Sequence, residues 1–439
     1  MPPAPFLLSE RSRRTADSPI SYFVQKAIET KGLISLAAGL VDESAFPSAD
    51  IAAVVAEMMA NPVTAKAALQ YGSTRGLLPL REKALGLLCD ADSVNPADIG
   101  LTANDVVITT GSQQMLYLLG EVLFEVGDIV IAEAPSYFVF HDCLKSHGTK
   151  VLSVPMNEGG MDLDALEDLL ESLEKSGEIA KLKMIYTVDY FQNPTGLTLA
   201  EDRRPRLVEL AKRYSRTHRI LILEDAAYRE LRYDGDDITS IKRFDENNEY
   251  VVYTSTFSKP CAPGLKTGYS IMPRDLVNPI CNLKGCHDFG SSNLNQHILN
   301  KLLENGAYHR HVLKLRDVYR TKRNAMLRAI EDQFGDWPEV TWTMPAGGLY
   351  VWLTFPEGLN AGIGGSIVER ATEAGVLYIP GEFGHVPDAS GYLPQNEVRL
   401  SFGVAEPDAI TEGIRRLREA CRGMESLTAE LNPEAAVMA

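Results

Sequence analysis

Residues 253–269 read YTSTFSKPCAPGLKTGY and place a lysine in an unusual position. Lys259 follows an apolar run and three hydroxyl side chains, and a Pro-Gly turn with a second lysine, Lys266, comes next. An isolated lysine is nearly always a solvated surface charge. A lysine directly after a buried strand needs another explanation, which has to come from the rest of the chain.

Short apolar runs alternate with amphipathic stretches around this segment. The runs are DVVITT, GDIVIAEAP, TKVLSVP, KLKMIYTVDY, RILILEDAAY and EYVVYTSTFS. Their Val, Ile and Leu content is typical of parallel strands that are buried on both faces. The stretches SQQMLYLLGEVLFEV and LAEDRRPRLVELAKRYSR between them have helical periodicity. This alternation predicts an α/β fold around a mostly parallel sheet.

The pattern changes after about residue 305. AYHRHVLKLRDVYRTKRNAMLRAIEDQF predicts one long helix, and the strand-like runs VTWTM, GGLYVWLTF and EVRLSFG follow, with a helix, IVERATEAG, before the third. Because 439 residues exceed what one core supports, we expect two domains. The prediction is an N-terminal segment at 1–50 that packs on the small domain and the site entrance, a large domain at 51–304 and a small α+β domain at 305–439. The tail after Gly423 is expected to be a helix fragment and a loose end.

Composition excludes several classes of protein. The chain has 43 Lys and Arg against 59 Asp and Glu, a formal net charge of −16, which argues against nucleic acid or an anionic membrane as the main partner. No apolar run approaches the ~20 residues that span a bilayer, and the N-terminus lacks the apolar core of a signal peptide. The six cysteines form no C-x-x-C pair, so we predict no metal site and no disulfide framework, with reduced thiols in the cytoplasm.

Gly111, Ser112 and Gln113 follow the run DVVITT, where a strand passes into a helix. Ligands of open α/β sheets bind at the carboxyl ends of strands. The free N–H groups and the dipole of a helix N-terminus favour an anion such as phosphate, although an ordinary helix cap explains the same residues.

Other polar residues follow the neighbouring runs. Asp225 and Glu224 end RILILED, where a carboxylate is costly unless a cation, a metal or a protonated ring nitrogen pairs with it. Tyr228 comes three residues later, and Asn193 opens the turn Asn-Pro-Thr-Gly. Taken singly, these residues also fit a helix cap and a simple turn.

Together, these groups match the requirements of one cofactor, pyridoxal 5′-phosphate. Its phosphate needs an anion-binding cradle, and its aldehyde needs the amine of a lysine. Its ring nitrogen needs a carboxylate, and its ring hydroxyl needs hydrogen bonds from an amide and a phenol. Asp225 precedes Lys259 by 34 residues, about one strand-helix-strand step.

With these residues in place, the chain resembles the class I/II aminotransferases, which are fold type I pyridoxal phosphate enzymes of the aspartate aminotransferase superfamily. The likeness is strongest to the branch of α-aminoadipate, kynurenine and broad-specificity aminotransferases. It rests on LQYGSTRGLLPLRE, TTGSQQ, APSY, QNPTG, EDAAY, TFSKPCAPGLKTGY, PAGGLYVW and VRLSFG, and it runs from about residue 35 to 417. The resemblance implies a mostly parallel seven-stranded sheet flanked by helices, with a smaller α+β domain.

The resemblance also implies roles for individual residues. The implied catalytic residues are Lys259, which forms the Schiff base with the cofactor, Asp225, which pairs with the pyridine nitrogen, and Tyr137, which stacks on the ring. The further implied cofactor-binding residues are Asn193 and Tyr228 at the ring hydroxyl, Gly111, Ser112, Gln113, Ser258 and Lys266 at the phosphate, and Tyr71, which reaches the phosphate of the neighbouring subunit. The implied substrate-binding residues are Arg399, Gly39 and Asn193.

The function implied is amino-group transfer from an L-α-amino acid to a 2-oxo acid, with 2-oxoglutarate the expected acceptor, by a ping-pong mechanism in a homodimer with shared active sites. A lyase, a cyclising synthase or a decarboxylase on the same scaffold would use the same strand-end residues. A DNA-binding regulator with an aminotransferase-like domain would need a basic N-terminal domain, and a nicotinamide-dependent dehydrogenase would need G-x-G-x-x-G, which TTGSQQ and AGIGGS do not match.

Two departures from the family pattern stand out. Lys266 occupies the position of the usual arginine in P-G-x-R-x-G. Lysine keeps the positive charge but lacks the planar guanidinium, which can bind an anion through two parallel hydrogen bonds. The N-terminal glycine motif continues as AAGLVDESAFP instead of with a proline. The first departure bears on how the phosphate is held and the second on substrate preference.

Overall fold

The computed structural model of this protein describes residues 6–15, 32–388 and 390–424. The tail predicted after Gly423 lies outside the described residues except for Met424, and so does part of the N-terminal segment. Among the helices that are described, none combines the length and apolar character needed to cross a bilayer.

The described chain forms fourteen strands. In chain order they are β1 (Ile34–Ser35), β2 (Val106–Thr109), β3 (Ile129–Ala134), β4 (Lys150–Asn157), β5 (Gly160–Met161), β6 (Leu182–Thr187), β7 (Leu221–Asp225), β8 (Val251–Thr256), β9 (Gly268–Ile271), β10 (Thr341–Trp342), β11 (Tyr350–Thr354), β12 (Val376–Leu377), β13 (Ile379–Pro380) and β14 (Glu397–Ser401).

Thirteen α-helices lie in the same described ranges. They are α1 (Glu10–Arg14), α2 (Ser48–Ala60), α3 (Pro62–Leu69), α4 (Leu78–Ala91), α5 (Ser112–Leu123), α6 (Phe138–His147), α7 (Leu163–Ser176), α8 (Arg203–Tyr214), α9 (Arg274–Asp288), α10 (Asn293–Glu304), α11 (Ala307–Phe334), α12 (Ser366–Glu373) and α13 (Pro407–Ala420). Their ends follow local signals. Asp162, for example, accepts hydrogen bonds from two backbone N–H groups at the start of α7, and Gly177, with φ 77°, ends it.

The large sheet has the order β2-β9-β8-β7-β6-β3-β4-β5. Its central pairs are parallel, whereas β9 runs antiparallel to both β2 and β8, and β5 runs antiparallel to β4. The predicted α/β fold with a mostly parallel sheet is therefore confirmed, and all six apolar runs form strands. The two-residue β5 makes eight strands instead of seven.

The prediction that TKVLSVP is a strand buried on both faces was wrong. Within β4 only Val154 is buried. The reason is position, since β4 has β3 on one side and only the two-residue β5 on the other. The central strands β7 and β8 are buried at every residue, as predicted.

The C-terminal part forms a second, antiparallel sheet with the order β10-β11-β14-β13. It follows α11, a helix of 28 residues with the bounds that the sequence predicts. The N-terminal strand β1 pairs in parallel with β12. This pairing places part of the segment before residue 50 against the C-terminal part of the molecule. The domain boundaries at 50 and 304 remain a prediction.

A buried ion pair fixes α8 to the end of β6. Arg204 in α8 and Asp189 after β6 are fully buried, and Arg204 Nη1 lies 2.5 Å from Asp189 Oδ2. The guanidinium also donates to the backbone oxygens of Asp189 and Leu199 and lies over the ring of Tyr190. This packing holds the chain between β6 and α8, which carries the Asn-Pro-Thr-Gly turn.

We expect Arg204→Met to lower the free energy of unfolding by about 3–5 kcal/mol, because it leaves the Asp189 carboxylate buried without its counter-charge. Urea unfolding of the cofactor-free protein measures the change. The control is Lys175→Met, which removes an exposed ion pair with Glu171 and should leave the midpoint unchanged. Equal midpoints for the two variants would contradict the role assigned to Arg204.

Candidate active site

One cavity of about 250 Å³ lies at the carboxyl ends of the central strands. The predicted residues that line it are Gly39, Gly111, Ser112, Gln113, Tyr137, Asn193, Asp225, Tyr228, Ser258, Lys259, Lys266 and Arg399. The lining residues that were not predicted are Thr110, Phe138, Val139, Val188, Ala227, Thr256, Pro263 and Tyr350. Of the predicted residues, only Tyr71 lies elsewhere.

Asp225, the last residue of β7, is only 4% exposed and faces this cavity. Its Oδ2 accepts a hydrogen bond of 3.1 Å from the hydroxyl of Tyr186, whereas Oδ1 has no hydrogen bond of normal geometry among the described residues. Burial raises the pKa of Asp225 to about 7, against the lowering effects of Tyr186 and the Ala227 N–H. One oxygen of a buried carboxylate is therefore open to a donor from outside the chain.

The adjacent carboxylate has a structural role. Glu224 is fully buried, and its two oxygens accept the backbone N–H groups of Ile241 and Lys242 at 2.9 and 2.8 Å. Successive residues of a strand point to opposite faces, so only one of the two carboxylates can reach the cavity. Of the pair, Asp225 is the one that remains available for chemistry.

Lys259 lies just after β8 and is half-buried. Its Nζ donates a hydrogen bond of 3.0 Å to the backbone oxygen of Gly39. The neighbouring hydroxyls shape the turn: the Ser258 N–H donates to Thr256 Oγ1 at 3.1 Å, and the two hydroxyl oxygens are 3.0 Å apart. The hydroxyls thus explain the local backbone, and the lysine side chain projects into the cavity.

The start of α5 forms a cradle of free N–H groups. Its N-cap, Gly111, has φ 74° and provides no side-chain cap, so the first N–H groups of the helix are not satisfied by a capping side chain. A Cβ atom at Gly268 would lie 2.6 Å from the Ser112 nitrogen, so only glycine lets β9 pass this close. Lys266, with φ 43°, and Ser258 line the same cavity. The arrangement suits a phosphate.

Arg399 in β14 is 1% exposed, which excludes a surface arginine. Its Nη1 donates to Asn193 Oδ1 at 2.9 Å and its Nη2 to the backbone oxygen of Ala37 at 2.7 Å, while Nε has no partner in the described ranges. The guanidinium lies over the rings of Tyr350 and Phe138, 4.5 and 5.3 Å from their centroids. None of the ion pairs among the described residues involves Arg399, so its charge is available to an external carboxylate.

Three phenols surround the cavity. The hydroxyl of Tyr228 lies 3.2 Å from that of Tyr350 and 3.5 Å from Asn193 Nδ2, and Tyr137 donates to Gln113 Oε1 at 3.3 Å. Burial raises the pKa of both Tyr137 and Tyr228, so these hydroxyls stay protonated at neutral pH.

Tyr350 and Tyr186 contact predicted site residues although the sequence did not single them out. Tyr350 belongs to PAGGLYVW, which carried the family resemblance without a role for its tyrosine. A Cβ atom at Gly39 would lie 2.7 Å from the Tyr350 hydroxyl, so this contact requires glycine there. Nothing in the run KMIYTV distinguishes Tyr186 from an ordinary strand residue.

Tyr71 is not brought to the cavity of its own chain. It is 82% exposed and packs edge-on against Phe289, with 5.6 Å between ring centroids. It borders a second cavity together with residues 68–72 and 289–294. Its predicted reach into a neighbouring subunit remains a prediction.

The residues present fit pyridoxal 5′-phosphate. The open oxygen of Asp225 suits a ring N–H, the uncapped start of α5 suits a phosphate, and Lys259 supplies the amine. A metal does not enter this chemistry, and no group of three or more metal-binding side chains is found among the residues that the structure describes.

Comparison with known proteins agrees with this chemistry. Residues 32–417 match the family described as aminotransferase class I and II. Aromatic-amino-acid aminotransferase 1 of Thermococcus litoralis is 38% identical over 397 residues, which cover 90% of this chain and 89% of that protein.

Solved structures show the same similarity. The kynurenine aminotransferase of Pyrococcus horikoshii in complex with PMP superposes with a TM-score of 0.85 at 34% identity, covering 95% of this chain and 97% of that one. A second structure is LysN, the α-aminoadipate aminotransferase of Thermus thermophilus, in complex with N-(5′-phosphopyridoxyl)-L-leucine. It superposes with a TM-score of 0.81 at 31% identity and covers 96% of this chain and 98% of that one. Because these relatives are aminotransferases, the lyase, synthase and decarboxylase alternatives are not favoured. The chain belongs to the class I and II aminotransferase family and is an aminotransferase that uses pyridoxal 5′-phosphate.

Proposed function

We propose that this enzyme moves the amino group of an L-α-amino acid to 2-oxoglutarate by a ping-pong mechanism, with Lys259, Asp225 and Arg399 as its central residues. The observation that carries the proposal is that two buried ionisable side chains, Asp225 and Arg399, each present an atom without a partner in the described residues and line one cavity with Lys259. An uncompensated buried charge is costly, so this arrangement indicates ligands that complete it.

Asp225 would hold a proton on the ring nitrogen of the cofactor. When bound, pyridoxal phosphate supplies an electron sink for the negative charge that develops at the substrate Cα. The sink is strongest when the ring nitrogen is protonated, and Oδ1 of Asp225 is the acceptor available to that N–H. Tyr186 fixes the other oxygen and so sets the orientation of the carboxylate.

Lys259 would hold the cofactor covalently and then act as the general base. Its Nζ already lies inside the cavity, 3.0 Å from the Gly39 oxygen, where it can take up the proton of the substrate Cα and return it. Tyr137 would cover one face of the ring, with Tyr228 and Asn193 beside the ring hydroxyl. Gly111, Ser112, Gln113, Ser258 and Lys266 would bind the phosphate.

Arg399 would bind the substrate α-carboxylate, with Asn193 and Gly39 beside it. Asn193 Oδ1 and the Ala37 oxygen hold the guanidinium in place through two of its donors, which leaves other N–H groups for a carboxylate. Phe138 and Tyr350 give this end of the cavity aromatic walls. With relatives named for aromatic amino acids and α-aminoadipate, these walls make aromatic and long aliphatic amino acids the donors to test first.

We further propose a cytoplasmic homodimer in which Tyr71 of each chain completes the phosphate site of the other. The exposure of Tyr71 beside a second cavity, with Phe289 packed against it, supports this placement. Exposed aromatic side chains of this kind are typical of interfaces.

Lys259→Ala should retain no covalent cofactor and should lose turnover by a factor of about 10⁴, because both the Schiff-base amine and the general base are removed. Borohydride reduction followed by intact mass measurement reports the covalent bond, and 2-oxoglutarate-dependent release of the oxo acid reports turnover. Lys150→Ala, at an exposed site, is the control. Retention of a borohydride-fixed cofactor in Lys259→Ala would refute the assignment.

Arg399→Gln should lower kcat/KM for an amino acid donor by about 100-fold, because hydrogen bonds to a charged carboxylate are worth ~1.5–3 kcal/mol each. The sharper comparison pairs phenylalanine with 2-phenylethylamine, which lacks the carboxylate. Half-reaction rates followed by cofactor absorbance should fall for the amino acid and stay near the wild-type rate for the amine. An equal fall for both would show that Arg399 acts elsewhere.

Asp225→Asn should change how the stability of the cofactor-free protein depends on pH. The folded pKa of Asp225, about 7, lies above its ordinary value of 3.8, so the wild type loses stability as pH rises from about 4 to 7. Asparagine cannot ionise and lacks this loss. The urea midpoint of the variant, relative to that of the wild type, should therefore be higher at pH 8 than at pH 4. A difference between the two proteins that stays constant over this range would contradict the buried, unpaired state of Asp225.

A further inference from the structure

A polar network lies directly behind the start of α5. It consists of Lys284 and Asp288 in the last turns of α9, Gln114 in the first turn of α5, and Thr110 just before that helix. The two helices pack against each other, and Thr110 also lines the active-site cavity. The network thus connects the interior of α9 to the cavity wall.

Asp288 is the centre of the network. Its carboxylate accepts hydrogen bonds from Lys284 Nζ at 2.7 and 2.9 Å, from Gln114 Nε2 at 2.8 Å and from the Thr110 hydroxyl at 3.1 Å. Burial acts to raise the pKa of Asp288, but these donors outweigh it and lower the pKa below its ordinary value. Asp288 is therefore ionised at neutral pH.

The network also fixes the backbone that leads into the helix. Gln114 Oε1 accepts the Thr110 N–H at 2.8 Å, and the other end of the same amide donates to Asp288. A carboxylate can only accept, so it forces the Gln114 amide to present its oxygen to Thr110. Gly111 supplies no side-chain cap and lies in the left-handed region of φ, so this glutamine, rather than a cap, holds the strand-to-helix turn.

From this geometry we infer that Asp288 is a positioning residue for the cofactor phosphate. It acts through Gln114 and Thr110 to hold the N–H groups of Gly111 and Ser112 in the arrangement that binds the phosphate. The inference rests on the proposed function, which makes these N–H groups the phosphate cradle. Beyond that function, we expect the affinity of the cradle for phosphate to depend on Asp288, a charged side chain of another helix, α9.

The test uses the double variant Lys284→Met/Asp288→Asn, which removes the carboxylate without leaving a buried ammonium unpaired. Dissociation constants of the cofactor-free protein are measured by absorbance for pyridoxal 5′-phosphate and for pyridoxal, which lacks the phosphate. The wild type should strongly prefer the phosphorylated form. In the variant this preference should fall by about tenfold, the effect of one well-placed hydrogen bond to an anion, while affinity for pyridoxal stays within about twofold.

A fully buried ion pair elsewhere in the chain provides the control. Lys242 and Asp245 form an ion pair near the amino end of β8, where Lys242 Nζ donates to the Val251 oxygen, so the pair lies at the opposite end of the strand from the cradle. Lys242→Met/Asp245→Asn should lower the unfolding midpoint and leave the preference for the phosphorylated cofactor unchanged.

The outcomes distinguish a failure of the phosphate cradle from a failure of the role of Asp288. A wild type that does not prefer pyridoxal 5′-phosphate over pyridoxal would overturn the cradle itself, and the proposed function with it. A wild type with that preference and a Lys284→Met/Asp288→Asn variant that keeps it would overturn only the role of Asp288. Equal weakening of both ligands in this variant would likewise assign Asp288 to general stability instead of phosphate positioning.

Discussion

The active site depends on a carboxylate that the chain buries without fully pairing it. Asp225 ends the central strand β7, is 4% exposed, and has one oxygen held by Tyr186 and one left open. The parallel strands β6 and β8 flank β7, so the carboxylate cannot move to find another partner. Burying this carboxylate half-paired is costly, and a ligand donor offsets the cost; in the proposed function the ring N–H of the cofactor is that donor.

Much of this arrangement could be predicted because it is local in sequence. The apolar runs of β6, β7 and β8 identify the sheet, and the residue that follows each run lies at its carboxyl end, which brought Asn193, Asp225 and Lys259 together from the sequence alone. The long helix α11 was likewise visible in its periodicity.

What could not be predicted depends on contacts between distant segments. Tyr186 reaches Asp225 only because β6 and β7 pair in one register, with Tyr186 opposite Leu223. Tyr350 reaches Tyr228 only because the fold brings the start of β11 against the chain that follows β7, although the two tyrosines are 122 residues apart in the sequence. The exposure of β4 follows from its place in the strand order, which its apolar sequence does not encode.

The neighbouring pair Glu224 and Asp225 shows how little separates a carboxylate that the fold satisfies from one that it leaves open to a ligand. They share a strand and near-complete burial, but alternation along the strand turns them to opposite faces. Glu224 meets two backbone N–H groups and lies 3.8 Å from Arg204, so the fold satisfies it. Asp225 faces the cavity, so only a ligand can provide a hydrogen-bond donor for its open oxygen. Exchanging their environments would require a one-residue shift of β7, which would move every side chain of that strand to the other face. The register of β7 therefore specifies the fold and the chemistry together.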